Sequence, residues 1–432
     1  MPGTGLVRYT VPRADAASGS QAIARESNSR NERCTVTALA RAPYFTGRVE
    51  EITARRCFAF LVALAGVLSL VSVGAGSGSR APLLIAVEGP QSGAQAPNGL
   101  DQLRGVRLAV SQLNAHGGLW DGRKVALLPA NDEGEAGRAK AVARHVIAAG
   151  IRFVIGPYNS SVGLANLSLY RRHGVLPLWM TSDDKTAGVG ATVQPMNSQI
   201  APVEARHVEG LHAKRVAMLV DDTPNGAFTK GMASRLRTAL VREGASVTWT
   251  SVLETTAPGL RDSYYSEEVG KALATHPDLV YVSTYFPEGT QIAKALAAEG
   301  STPPCLMGLA NVDNAFVAKT TLAEAQRCVF SGVPAATEMP SAKRYVRRYR
   351  AMFGKKTSVW GSFTYDSARI LFRAVDQAKS YGFAAVERAL RRTKGYRGAT
   401  GTITIDKKTG YRTTVPVSIL RVNNQKKFVV AR

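Results

Sequence analysis

No GxxxxGK[ST], HExxH, CxxC or GxSxG pattern occurs in the 432 residues. The phosphate-cradling loop, the helical zinc pair, the dithiol and the nucleophile elbow are therefore all missing. The six histidines (116, 145, 173, 207, 212, 276) are scattered without metal-ligand spacing, so no metal or cofactor is expected and each reads as a surface or packed imidazole. Paired acids at Asp132-Glu133, Asp183-Asp184 and Asp221-Asp222 fit turns and helix caps better than general acid-base work. Nothing selects an enzyme class, and no catalytic residue is assigned.

Acidic residues are also scarce: 55 Lys plus Arg face 32 Asp plus Glu. Such an excess can signal nucleic acid or an anionic ligand. Here the bases are spread along the chain without a zinc-finger or RNA-binding signature, so nucleic acid is not an expected partner. In the densest run, Lys343 to Phe353, Tyr345, Tyr349 and Phe353 recur every fourth residue. On a helix they share one face, leaving Arg344, Arg347, Arg348 and Arg350 to water.

Cysteine is sparse, at four residues, and only Cys305 and Cys328 lie beyond the first 57 positions. In an exported chain, two cysteines without clustered histidines favour one disulfide over a zinc site. Export is indicated by the one long uncharged run, Cys57 to Val73, preceded by Arg55-Arg56 and followed by the small residues of 74–79. A basic start, an apolar middle and a small-residue exit make residues 55–79 a signal peptide. The run is too short and too interrupted by Gly66, Ser69 and Ser72 for a membrane span. Residues 1–54 show no hydrophobic periodicity and are expected to be disordered or to precede the true start.

With 45% apolar residues, the chain is long enough for two cores. Short β-branched runs alternate with helical periods from Leu83 onward: LLIAVE, KVALLPA, RFVIG and VLPLW. After a Pro- and Gly-containing stretch, a second series follows: RVAMLV, SVTWTSV, DLVYVST, PCLMG and CVFSG. This order predicts two doubly wound α/β lobes with parallel sheets. Ligands in such sheets sit beyond the C-terminal ends of strands, where loops enter helices. The segment Ile155 to Ser161 (IGPYNSS) has that position, and a serine hydroxyl with free N–H groups at a helix start makes a carboxylate cradle. Simple N-capping by Ser160 or Ser161 is the alternative.

Further segments occur in a common order: Ser92-Gly93 with Gly105, LNAHGGL (113–119), Asn131-Asp132, VIGPYNSS, DLVYVSTYFPEGTQIAKALAAEG, CLMG and FTYDSARIL. In that order they resemble the leucine/isoleucine/valine-binding family of periplasmic solute receptors, of type I periplasmic binding protein fold. The resemblance spans nearly all of residues 83–430. It implies two lobes joined by a three-segment hinge: 81–198 plus 335–403, and 199–334 plus 404–432. It further implies a small organic ligand between the lobes, delivery to an ABC permease, a periplasmic location and a monomer.

By position, the resemblance puts Ser160, with Ser161 beside it, at the ligand carboxylate, Asp183 at a backbone contact and Lys185 where a threonine usually helps. Asn98 takes the place of an aromatic cap and Asn225 that of a tyrosine, while Tyr285 and Phe286 match paired aromatics of the second lobe. Ala310 replaces the acid that pairs with an amino acid's ammonium. Because an unpaired buried ammonium is costly, either Glu288 or Asp313 supplies the charge or the ligand lacks an ammonium. A branched-chain amino acid and an aromatic or aliphatic acid both stay open, as does a sensory receptor of the same fold.

Overall fold

A computed structural model describes residues 80–253, 262–300 and 303–431. The expected signal peptide and the segment before it lie outside the described residues. The first half of the described chain builds a four-stranded, all-parallel sheet from β1 (Leu83–Gly89), β2 (Val125–Asn131), β3 (Phe153–Ile155) and β4 (Leu176–Leu178), in the order β2-β1-β3-β4. Its helices are α1 (Ala96–Ala115), α2 (Ala136–Ala148) and α3 (Ser160–Arg172). The strands are short and apolar because helices cover both faces, the reason parallel sheets read as continuous apolar runs.

The chain then crosses to a second sheet through α4 (Asn197–Gly210). There, β5 (Arg215–Asp221), α5 (Ala227–Arg242), β6 (Ser246–Leu253), α6 (Asp262–Leu273), β7 (Leu279–Ser283) and α7 (Glu288–Ala298) follow in strict alternation. The short helices α8 (Asn314–Lys319) and α9 (Leu322–Gln326) separate β8 (Cys305–Met307) from β9 (Val329–Gly332). A second crossing returns the chain to α10 (Lys343–Phe353), α11 (Trp360–Ala378), α12 (Phe383–Leu390) and the antiparallel pair β10 (Tyr396–Gly398) and β11 (Gly401–Ile403). A third brings β12 (Ser418–Val422) and β13 (Phe428–Val430) to the far sheet, whose order is β13-β12-β9-β8-β7-β5-β6.

The architecture is thus two doubly wound lobes joined by three crossovers, with one difference from the all-parallel expectation. Strand β12 runs antiparallel to β9, and β13 antiparallel to β12. A tight Asn423–Lys427 turn joins the last two strands, its backbone closed by Asn423 N–H to Lys427 C=O at 2.9 Å. A turn this short can only reverse the chain, whereas a parallel return needs a long crossover.

Helix α11 packs along α1 at Gly105 and Gly361, where any Cβ on Gly105 would collide with the Gly361 carbonyl. Asp101 pins the same junction, accepting from Tyr349 Oη at 2.8 Å and from the Gly361 N–H at 2.6 Å. Along α10, Tyr345 and Tyr349 are buried with ring centroids 5.6 Å apart, while Lys343, Arg344, Arg347 and Arg350 are exposed. Apart from Arg348 and Phe353, both half-buried, that is the division between core and water predicted from the four-residue spacing.

Cys305 and Cys328 are disulfide-bonded, 23 residues apart, at the starts of the paired strands β8 and β9. Closing a loop of this size restricts the unfolded chain and is expected to stabilise the fold by roughly 3 kcal/mol. The double variant Cys305→Ser/Cys328→Ser should unfold at correspondingly lower urea. An unchanged midpoint would show that the bond contributes nothing to stability.

Candidate functional site

Both sheets have a switch point, where consecutive strands leave in opposite directions: between β1 and β3 in the first, and between β5 and β7 in the second. The loops beyond these strand ends face each other. They line a narrow, partly open cleft. Tyr158 and Ser160 reach it from the loop after β3, Met180 and Ser182 from beyond β4, and Gln194 from the first crossover. The other lobe contributes Phe228 after β5, Tyr285 after β7, and Leu309 and Ala310 after β8, while Trp360 enters from the start of α11.

At the floor of the first lobe, Gly156 takes a φ of +119°, and a Cβ there would strike the Glu88 carbonyl. Only glycine allows the chain to leave β3 so close to β1. Tyr158 is thereby set against Trp360, with centroids 5.6 Å apart, and α3 starts at Ser160. The Ser160 hydroxyl oxygen accepts from two backbone groups, Ser182 N–H at 3.2 Å and Asp183 N–H at 3.1 Å. With its lone pairs engaged, its own proton is left to donate. Ser160 is thus tied to the turn after β4, and the residue preceding α3, Asn159, makes no side-chain cap bond. A hydroxyl donor beside the first-turn N–H groups of a helix suits a carboxylate.

The lining carries no Asp, Glu, Lys or Arg side chain. Its two phenols stay neutral. Burial raises Tyr158 well above its ordinary value, helped by Tyr285 and Asp313, and raises Tyr285 likewise, helped by Asp221 and Asp183. The ring of Tyr285 lies 5.9 Å from that of Phe228. The cavity offers hydrogen bonds and aromatic walls, without a fixed charge.

Of the residues expected to hold a ligand, Ser160, Tyr285 and Ala310 meet in this cavity. The backbone N–H of Asp183, expected at the ligand, instead donates to Ser160 Oγ at 3.1 Å, and its carboxylate accepts from Lys185 N–H at 2.9 Å. Lys185 is exposed and lines a separate groove with Ser161, Asp183, Asp184, Lys230 and Arg235. The turn Asp184–Thr186 is a 3-10 helix that projects the lysine outward, so its charge does not enter the cavity. Asn98 is buried near the start of α1 and Phe286 lies in the second-lobe core under the Lys319 ammonium, 5.6 Å from its centroid; neither lines the cavity.

Asn225 sits at the rim, where it donates to Glu135 Oε2 at 2.6 Å and accepts from Ala136 N–H at 3.0 Å. It joins the loop before α5 to the start of α2, across the two lobes. Arg235 makes a second such bridge to Asp184 at 2.7 Å.

Neither acid expected to compensate for Ala310 lines the cavity. Asp313 caps α8 through Ala315 N–H at 2.6 Å and accepts from Ser358 Oγ at 3.3 Å. Burial, with Asp221 nearby, pushes the Glu288 carboxyl up to about 8, so at neutral pH it is largely uncharged. Sequence reasoning missed Tyr158, Met180, Ser182, Gln194, Phe228, Leu309 and Trp360. Tyr158 stands inside the segment that revealed Ser160, and the rule that ligands lie beyond strand ends pointed to the loop holding Phe228. Gln194 and Trp360 carried no local signal.

Two doubly wound lobes with a cleft free of charged side chains between their strand ends define a small-molecule binding protein of the hinged, two-lobe class. The sequence pattern of the family described as Periplasmic binding protein matches residues 82–427, and the chain belongs to that family. It is 29% identical over 354 residues to the Leu/Ile/Val-binding protein homolog 3 of Brucella melitensis, covering 79% of this chain and 92% of that one. It is also 29% identical over 336 residues to the Leu/Ile/Val-binding protein BraC3 of Rhizobium johnstonii, covering 76% of this chain and 88% of that protein. The crystal structure of the leucine binding protein LivK from Thermotoga maritima superposes with a TM-score of 0.72 at 21% identity, covering 81% of this chain and 98% of the other.

Proposed function

We propose that this protein is the solute receptor of an ABC importer, binding a branched-chain amino acid or a related small carboxylate between lobes 81–198 plus 335–403 and 199–334 plus 404–432. Export by residues 55–79, action as a periplasmic monomer and delivery to a permease complete the reading. Binding rather than catalysis is supported by membership of the periplasmic binding protein family and fits a cleft lined by hydroxyls, an amide and apolar walls.

The observation that carries the reading is the Ser160 hydroxyl. Two backbone N–H groups hold it at the start of α3, on the edge of a cavity that both lobes close. Both lobes supply parts of the wall, so ligand contacts form in full only when the lobes meet, and the ligand shifts the population toward the closed form. The bridges from Asn225 to Glu135 and from Arg235 to Asp184 close with them.

Ser160→Ala should remove a charge-assisted bond of about 1.5–3 kcal/mol and weaken carboxylate binding roughly tenfold or more. Titration calorimetry against leucine, valine, their 2-oxo acids and benzoate provides the measurement. Unchanged affinity of the variant for whichever compound binds would place the carboxylate elsewhere. No binding of any of them would sink the proposed ligand class.

A further inference from the structure

Gln194 is 1% exposed, lines the cavity, and its Oε1 atom has no hydrogen-bond partner. The orientation of its amide follows from its neighbours. Ser182 Oγ donates its only proton to the Pro195 carbonyl at 2.7 Å. Ser182 can then only accept from Gln194, whose Nε2 lies 2.9 Å away. One Nε2 proton thus goes to Ser182, which fixes the amide with Oε1 as its unpartnered end. A buried acceptor without a donor carries the full cost of its lost hydration, so a donor on the ligand would be selected strongly.

The same Ser182 locates that donor. Its backbone N–H goes to Ser160 Oγ at 3.2 Å, while its side chain holds the Gln194 amide. The carboxylate cradle and the orphan acceptor therefore flank one residue, and a ligand that meets both carries its donor close to its carboxylate.

An α-ammonium would have the right position but the wrong charge. Gln194 is neutral, Ala310 stands among the lining residues, and no carboxylate reaches the cavity. A hydroxyl supplies the proton without the charge. Resting on the proposed role as a small-carboxylate receptor, we infer that the ligand is an apolar hydroxy-carboxylate. Its carboxylate lies on Ser160 and its neighbouring hydroxyl donates to Gln194 Oε1, between the rings of Tyr158, Phe228 and Trp360.

The test is calorimetry of the full-length mature protein with 2-hydroxy-4-methylpentanoate against 4-methylpentanoate, salicylate against benzoate, and leucine. In at least one pair the hydroxy acid should bind about tenfold or more tighter than its deoxy partner, and tighter than leucine. Gln194→Met, similar in size but without the acceptor, should abolish that preference. Gln194→Glu, which restores an acid of equal size, should move the ranking toward leucine.

Equal binding within both pairs, or leucine as the tightest ligand, overturns the hydroxy-acid inference and leaves the receptor reading intact. A preference that persists in Gln194→Met, or an unaltered ranking in Gln194→Glu, removes Gln194 from it. Should no compound of the panel bind, the small-carboxylate reading itself fails and the inference with it.

Discussion

Asp366→Ala is expected to destabilise the protein by about 3–5 kcal/mol, because it breaks a buried polar network by removing one partner. Asp366 is fully buried on α11 and accepts from Ala399 N–H and Thr400 N–H, each at 2.8 Å, and from Thr400 Oγ1 at 2.7 Å. Thr400 in turn takes the guanidinium of Arg412, itself only 2% exposed, at Oγ1 (2.9 Å) and at its carbonyl (2.8 Å).

Arg412 also donates to the Thr402 carbonyl at 3.0 Å and reaches the Val193 carbonyl at 3.4 Å. The network therefore ties the third crossover to the first. Burial lowers the Arg412 guanidinium to about 10, opposed by the attraction of Asp366. Without the carboxylate, two buried N–H groups and the Thr400 hydroxyl lose their acceptor, and the buried Arg412 cation loses a nearby opposite charge. Urea unfolding of the variant is the measurement, with ligand affinity as a second readout because the network joins two hinge segments. A loss below about 1 kcal/mol would mean that the site relaxes enough for water to replace the carboxylate.

The second large effect is a pH dependence centred on Glu204. This α4 side chain is fully buried and accepts from Tyr281 Oη on β7 at 3.0 Å and from Ser331 Oγ on β9 at 2.5 Å. Burial pushes its carboxyl up to about 7, from an ordinary value of 4.5, against the lowering effect of those two bonds. Below the ordinary value the group is protonated in both states. Between the two values the unfolded chain gives up its proton while the folded one keeps it, so stability falls as pH rises through this window. Above about 7 the loss is complete, and it amounts to something on the order of 3 kcal/mol.

Glu204→Gln removes the titration while retaining one acceptor. Relative to the parent protein, the variant should gain stability between pH 5 and pH 8. Other buried acids, including Glu288, contribute slopes of the same sign, so the informative quantity is the difference between the two proteins. Parallel pH profiles would mean that Glu204 is ionised in the fold.

Much of the architecture was legible because it depends on local chemistry. A run such as LLIAVE has to be a strand covered on both faces, and the spacing of Tyr345 and Tyr349 has to make one side of a helix apolar. The Ser160 cradle was legible for the same reason: a buried strand, a glycine that must take a left-handed turn, and a serine at the next helix start lie within a few residues of one another. Even the last antiparallel pair, β12 with β13, depends on a short turn, which a closer reading of Asn423 to Lys427 would have found.

The direction of a side chain at a loop was not legible. Lys185 and Ser160 are both polar and both follow strands, but a three-residue 3-10 turn sends one outward while a helix start holds the other inward. Asn225, placed by resemblance at the ligand, instead bridges the lobes at the rim, because contacts across a hinge exist only once both lobes are folded and closed.

By itself the sequence determined the α/β order, the paired lobes, the likeness to solute receptors and the serine at the start of α3, since each depends on neighbours in the chain. Only the tertiary structure decided what the cavity asks of its ligand. Its walls come from residues as far apart as Tyr158 and Trp360, and the free face of Gln194 is set by a hydrogen bond to Ser182, twelve residues away. Charge and unmet hydrogen bonds in a cleft depend on every group that reaches it, and that set exists only after the chain has folded.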